Sequence, residues 1–168
     1  NFKLVFSQDD FYKSLLLTIA ICIITLAGAI FCSSMSGYIA SRAEKGFIKS
    51  VFWLFVITMI VPYQTGMVII YNLGVKLRLI NTVPFLILVY LGGNVSYSSL
   101  IYYAFTKSIP KEMEESAIID GCGRFKTFFK IIFPLLRPAT GTVIATEVFW
   151  YWNDMQGPRI YLGAGTGD

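Results

Sequence analysis

The sequence predicts an all-α fold, a polytopic bundle of membrane helices, and three observations carry that expectation. Of 168 residues, 55% are hydrophobic and 14% charged, against about 25% charged in ordinary soluble domains. Mean hydropathy is +0.64. The apolar residues fall into long runs broken by short polar segments, and about 20 such residues cross the hydrocarbon of a bilayer as a helix. The chain has no histidine, which argues against a metal centre and against imidazole acid–base chemistry. Its net charge of +4 sits in loops, where it reads as membrane orientation and not as nucleic-acid binding. The three cysteines, Cys22, Cys32 and Cys122, read as small hydrophobes and not as a disulfide framework.

The elements follow in order. Residues 1–10 are polar and mixed in charge. A first span is expected over 11–40, with 15–31 nearly all apolar. In it Gly28 with Cys32, and Ser33 with Gly37, are small residues four apart, a spacing that admits a second helix closely. Residues 41–46 make a short basic turn. A second span is expected over 47–71, kinked or ended by Pro62, which removes a backbone donor and clashes with the preceding turn. Residues 64–74 then form a short interfacial helix, with Tyr63 and Tyr71 at headgroup depth. Lys76 and Arg78 close the loop that follows. A third span is expected over 82–106, capped by Asn81, with Pro84 in its first turn and Gly92-Gly93-Asn94 interrupting it near the middle. A fourth is expected over 134–152, before a polar tail.

Between the third and fourth spans lies the longest charged segment, PKEMEESAIIDGCGRFKTFFKIIFPLLRP, from Pro110 to Pro138. It reads as two short helices joined by a glycine turn, then a proline that starts a long apolar helix. Ser108 is a candidate N-cap, with Pro110 in the first turn. Glu112, Glu114 and Glu115 lie where the helix dipole favours negative charge. Met113 and Ala117 share a face, flanked by Ile118. Gly121-Cys122-Gly123 breaks the helix. A second helix over 124–132 carries Arg124, Lys126 and Lys130, with Phe125, Phe128, Phe129 and Ile132 as its apolar set.

Glu115-Ser116-Ala117, three residues, Gly121, nine residues, Ile131, one residue, Phe133-Pro134 resembles the cytoplasmic loop signature of the permease subunits of ABC importers. In that signature Ala stands where this chain has Ser116, and Leu where it has Phe133. Ser108-Ile109-Pro110, Ile119-Asp120-Gly121, Pro134-Leu135 and Trp152-Asn153-Asp154 resemble the sugar permeases of the maltose-permease type. Weaker likeness covers residues 36–40 and 80–82. The resemblance implies a type I permease core as a single domain over 1–168, with residues 107–133 as a coupling loop that docks into a cleft of a cytosolic ATPase. It also implies a helix before residue 1 and another after residue 168 in the full subunit. The docking and coupling residues it indicates are Glu114, Glu115, Ser116, Ala117, Asp120, Gly121, Ile131 and Pro134. The implied partners are a second permease subunit forming a heterodimer, two ATPase subunits, an external solute-binding protein, a sugar and the lipid bilayer. ATP and Mg belong to the ATPase, and no cofactor is expected on this chain. The expected location is the cytoplasmic membrane of a bacterial or archaeal cell, crossed several times.

Basic residues give the same orientation. Arg42, Lys45, Lys49, Lys107, Lys111, Arg124, Lys126, Lys130 and Arg137 lie on the side of the charged loop, against Lys3, Lys13, Lys76, Arg78 and Arg159 on the other. The excess places the loop inside.

No Gly-rich phosphate loop of the Gly-x4-Gly-Lys-Ser/Thr kind occurs, and no nucleophile–base pair. The chain is therefore not expected to hydrolyse ATP, and no catalytic residue is assigned. Candidates for a translocation path are Tyr90, Asn94, Tyr97 and Ser98 on one face of the third span, and Glu147 with Trp150 on the fourth. Aromatic rings with amides and hydroxyls suit a sugar. A carboxylate within a span is costly and faces a cavity or a partner, so Glu147 either borders the path or bonds a neighbouring helix. The same two readings apply to Asn94. The run Phe149-Trp150-Tyr151-Trp152 is either an interfacial belt or a binding box. A secondary transporter and a membrane scaffold without transport are the competing classes. Neither requires an ATPase partner, and no internal repeat of the kind common in secondary transporters is visible.

Overall fold

The computed structural model describes residues 9–44 and 46–163. The expectations for residues 1–8, for Lys45 and for the tail beyond residue 163 lie outside the described residues. Every regular element among those described is helical: α1 (Asp9–Arg42), α2 (Phe47–Ile57), α3 (Tyr63–Lys76), α4 (Val83–Lys107), α5 (Glu112–Ile119), α6 (Arg124–Thr127), α7 (Phe133–Leu135), α8 (Arg137–Asn153) and α9 (Gln156–Tyr161). A 3-10 turn, Thr58–Ile60, follows α2, and a π-helical stretch, Phe128–Ile132, follows α6.

α1 and α4 are each long and apolar enough to cross a membrane alone. The other two expected spans are bent helix pairs, each either a broken span or a re-entrant loop. α2 with its 3-10 turn meets α3 at 105°, and Arg124–Leu135 meets α8 at 72°. The first bend falls at Pro62, as the missing donor requires. Pro138 sits in the first turn of α8, where its missing N–H costs nothing.

α1 and α4 run side by side in the same direction and make the most extensive packing in the fold. Small residues permit it. A Cβ on Gly37 would lie 2.7 Å from the Ser99 carbonyl oxygen and 2.8 Å from Tyr102 Cβ, so any larger residue forces the helices apart. One turn earlier, Ser33 is buried and bonds back to the Ala29 carbonyl. Ser36 and Ser99 hydroxyls meet at 2.5 Å. Gly28 faces Leu91, whereas Cys32 is exposed, so only part of the small-residue pattern marks the contact.

α8 packs antiparallel on α4. Tyr102 donates to Thr140 (2.9 Å), Ser98 to Glu147 (2.5 Å) and Tyr90 to Asp154 (2.9 Å), pairings that climb α8 as they descend α4. Two main cores result. One, at the end carrying the charged loop, gathers Tyr102, Phe128, Ile132, Leu136, Ala139 and Val143. The other, at the opposite end, is built on Ile21, Met67, Leu86, Tyr90, Tyr151 and Tyr161.

Several local expectations are corrected. Gly92-Gly93-Asn94 does not interrupt the third span: α4 is continuous. Each glycine costs a helix about 1 kcal/mol, and the bonds and packing of α4 along α1 and α8 exceed that. Asn81 does not cap α4. It adopts φ +62, a left-handed conformation that Asn tolerates, its N–H bonds the Tyr161 carbonyl (2.8 Å), and Thr82 is the N-cap residue. Ser108 does not start the first loop helix. It ends α4, with its hydroxyl on the Phe105 carbonyl (2.7 Å). The second loop helix is not a single α-helix over 124–132. Pro134 cannot donate to the Lys130 carbonyl and its ring crowds that group, and the ladder widens to the π form over Phe128–Ile132. The long helix begins at Arg137, not at Pro134. Tyr63 is half-buried, its hydroxyl buried inside the chain, while Tyr71 is exposed.

Candidate partner-docking loop and buried polar seam

The loop is built on a glycine turn. α5 begins after Lys111, carries Glu112, Glu114 and Glu115 in its first turn, and ends at Gly121, whose φ is +79. The Gly121 N–H bonds the Ile118 carbonyl (3.0 Å) and the Cys122 N–H bonds the Ala117 carbonyl (2.9 Å). This is a Schellman turn, with glycine at the position that needs a left-handed backbone. It reverses the chain into α6.

The eight residues expected to dock separate into two sets. Glu115, Ser116, Asp120 and Gly121 face outward. Ala117 is 4% exposed, so Met113 and Ala117 do not form one outward face: Met113 is exposed while Ala117 is enclosed by this chain. Glu114 also turns inward, to Tyr38 and Arg42 at the end of α1. Ile131 packs against the core at the loop end, and Pro134 is half-buried beside Arg137 and Thr140. The most exposed large apolar side chains of the loop are Ile118, Ile119 and Phe125, the last two 85% and 71% exposed, ahead of Met113 and Phe129. Ile119 and Phe125 are not among the residues the sequence indicates for docking. The available signal was an uncompensated apolar side chain in a segment otherwise charged.

The path candidates also divide. Tyr90, Ser98 and Glu147 are buried between α4 and α8. Glu147 accepts from Ser98, so the carboxylate has a partner on a neighbouring helix. Its second oxygen and the Tyr151 hydroxyl make no hydrogen bond of ordinary geometry, although Tyr151 interacts electrostatically with both Glu147 and Asn94. Asn94 is half-buried. Tyr97 and Trp150 are exposed and are not brought to Glu147. Of the aromatic run, Tyr151 alone turns inward, stacking on Tyr90 at 5.1 Å, while Phe149, Trp150 and Trp152 face out. That is the arrangement of a belt. Asp154, also missed, accepts from Tyr90 and from the Gln156 and Gly157 N–H groups, tying α9 to α4.

Long apolar helices with one structured, charged loop that displays exposed apolar side chains define a membrane protein with a candidate docking loop. Comparison with known proteins makes this specific. Residues 29–163 match the family described as binding-protein-dependent transport system inner membrane component, and the chain belongs to that family. It is 34% identical over 163 residues to the melibiose/raffinose/stachyose import permease protein MelC of Bacillus subtilis, covering 96% of this chain and 59% of that one. It is 32% identical over 155 residues to a probable starch degradation products transport permease, AmyC, of Thermoanaerobacterium thermosulfurigenes, covering 92% and 55%. The chain thus spans somewhat over half the length of these relatives. A crystal structure of a bacterial ABC transporter involved in alginate import matches with TM-score 0.81 at 18% identity, over 95% of this chain and 59% of that one. It shares the fold.

Proposed function

We propose that this chain is the core of a membrane-spanning subunit of an ATP-driven importer for a sugar or oligosaccharide. The observation that carries the reading is the outward apolar face of the loop, Ile118, Ile119 and Phe125. In a segment too charged to lie in the hydrocarbon, such side chains are a surface for a protein partner. The partner is a cytosolic ATPase, present as two subunits that bind ATP and Mg; this chain supplies no nucleotide site of its own. Glu115 and Asp120, exposed on α5, meet basic groups there. A second permease subunit completes the path as a heterodimer, and an external binding protein delivers the solute. The assembly lies in the cytoplasmic membrane of a bacterium or archaeon, crossed several times by this chain, with the loop inside.

The sugar class follows the named substrates of the similar permeases. Tyr97 and Trp150, both exposed, and Asn94, half-buried, are the candidates left for contact with a passing sugar, while Tyr90, Ser98 and Glu147 are enclosed between α4 and α8. Neither a secondary transporter nor a scaffold requires an ATPase partner, and that difference separates the readings. The test is purification of the full subunit from its native membrane, with uptake of a labelled oligosaccharide panel in strains with and without it. Co-purification of an ATPase and loss of uptake of one sugar class are expected. A subunit that purifies without an ATPase, in a strain with unimpaired sugar uptake, would end the reading.

A further inference from the structure

α1 has 34 residues, which at 1.5 Å per residue is about 50 Å, well beyond the roughly 30 Å of hydrocarbon. A helix that long has turns outside the hydrocarbon, and the turns of α1 leading to Arg42 contact both arms of the loop. Tyr38 and Arg42 lie four apart on one face and converge on Glu114. The Tyr38 hydroxyl donates to Glu114 Oε2 (2.8 Å), Arg42 Nε donates to Oε1 (2.7 Å), and Arg42 Nη2 reaches Oε1 at 2.5 Å. Arg42 Nη2 also donates to the Ile109 carbonyl (3.0 Å), at the joint between α4 and α5. The ion pair is shielded, with the two side chains 16% and 13% exposed. It thus differs from Glu44–Lys111, an exposed pair at 3.9 Å, which contributes little. On the loop's returning arm the Tyr38 ring packs on Phe128 (5.0 Å) and Phe31 stacks on Phe129 (6.4 Å).

Along the chain, α5 is joined to the bundle only through α4 on one side and α6 on the other. Each joint is a place to hinge: Ser108–Lys111 and the Gly121 turn. The contacts to α1 bridge both. Glu114 faces α1 while its neighbour Glu115 faces out, so adjacent carboxylates separate holding from docking.

We propose that Arg42, Tyr38 and Glu114 form a positioning clamp that makes α5 a rigid extension of α1. Motion delivered to the loop then reaches α1 directly, and through its packing α4, and not only along the chain. The proposal rests on the importer reading above, because it needs a partner that moves α5.

The test uses the full complex with its ATPase, spin-labelled at Ile39 on α1 and Glu112 on α5, both exposed and neither among the docking residues. The distance distribution is measured without nucleotide and with ATP and Mg under non-hydrolysing conditions. In the parent the distribution is narrow and the same in both states. In Arg42→Glu it broadens by several ångströms and shifts with nucleotide, while the ATPase still co-purifies. Arg42→Glu with Glu114→Arg restores the narrow distribution, and Glu114→Gln, which keeps one acceptor oxygen and loses the charge, falls between. Tyr38→Phe, which keeps the ring on Phe128 and the ion pair, guards against a folding defect and gives a small broadening. A distance that changes with nucleotide in the parent, or one unaltered in Arg42→Glu with the ATPase retained, overturns the clamp alone. Absence of an ATPase from the parent complex overturns the importer reading and the clamp with it.

Discussion

Replacement of Gly121 tests the loop at its turn. With φ at +79, and with nothing within 4 Å of a Cβ built there, the cost of a side chain is conformational and not steric crowding by neighbours. A non-glycine residue in the left-handed region costs about 1–2 kcal/mol, and a β-branched one lies at or above the upper end of that range. The turn holds two hydrogen bonds, Gly121 to Ile118 and Cys122 to Ala117, each worth about 1 kcal/mol net. Valine therefore abandons the turn, and α6 leaves α5 in another direction. A graded series follows: Gly121→Asn close to the parent, Gly121→Ala with the equilibrium between turned and unturned loop shifted about tenfold against the turn, Gly121→Val shifted further, since about 1.4 kcal/mol is a factor of ten in an equilibrium constant. The assay is ATP hydrolysis by the reconstituted complex with and without solute-loaded binding protein, together with retention of the subunit in the membrane. Stimulation should fall in that order and uptake with it, while the subunit stays in the membrane. A flat series, with Val stimulated like Gly, would refute the reasoning.

Other perturbations act in the bundle. Gly37→Leu places side-chain atoms inside the Ser99 backbone contact and should destabilise the α1–α4 pair by about 1–3 kcal/mol or more, read as lower yield and melting temperature in detergent. Glu147→Gln keeps an acceptor for Ser98 and should assemble like the parent, whereas Glu147→Ala strands the Ser98 hydroxyl at about 1–3 kcal/mol; if Glu147 also shapes the path, the Gln variant assembles but transports more slowly. Asp154→Ala removes the acceptor for Tyr90 and for the first N–H groups of α9, costing about 0.5–2 kcal/mol, seen as faster proteolysis after α8.

The parts of this fold that were legible in the sequence are those set by local chemistry. Pro62 bends the second span, Pro84 sits in the first turn of α4, and Gly121 takes the positive φ that its place after a helix demands. The parts that were not legible depend on tertiary contact. Gly92 and Gly93 carry an intrinsic helix penalty, yet α4 is held straight by its neighbours. Ser108 satisfies the capping pattern for α5, but its hydroxyl serves the end of α4 instead. Periodicity gives the faces of α5 but not which of them turns to the bundle. Of the residues indicated for docking, Ala117 and Glu114 turn to the bundle, while Ile119 and Phe125, outside that set, are exposed. Arg42 meets Glu114 across 72 positions of chain, a separation at which no local pattern speaks.

The outward face of the loop is reached most directly by photo-crosslinking. A benzophenone side chain is placed in turn at Ile119, Phe125 and, as control, Leu54, an exposed apolar residue of α2, in the full subunit in its native membrane. The expected result is an adduct with a nucleotide-binding subunit from Ile119 and Phe125 and none from Leu54. No such adduct from either loop position, or an equal yield from Leu54, would contradict the assignment of this loop as the ATPase-docking surface.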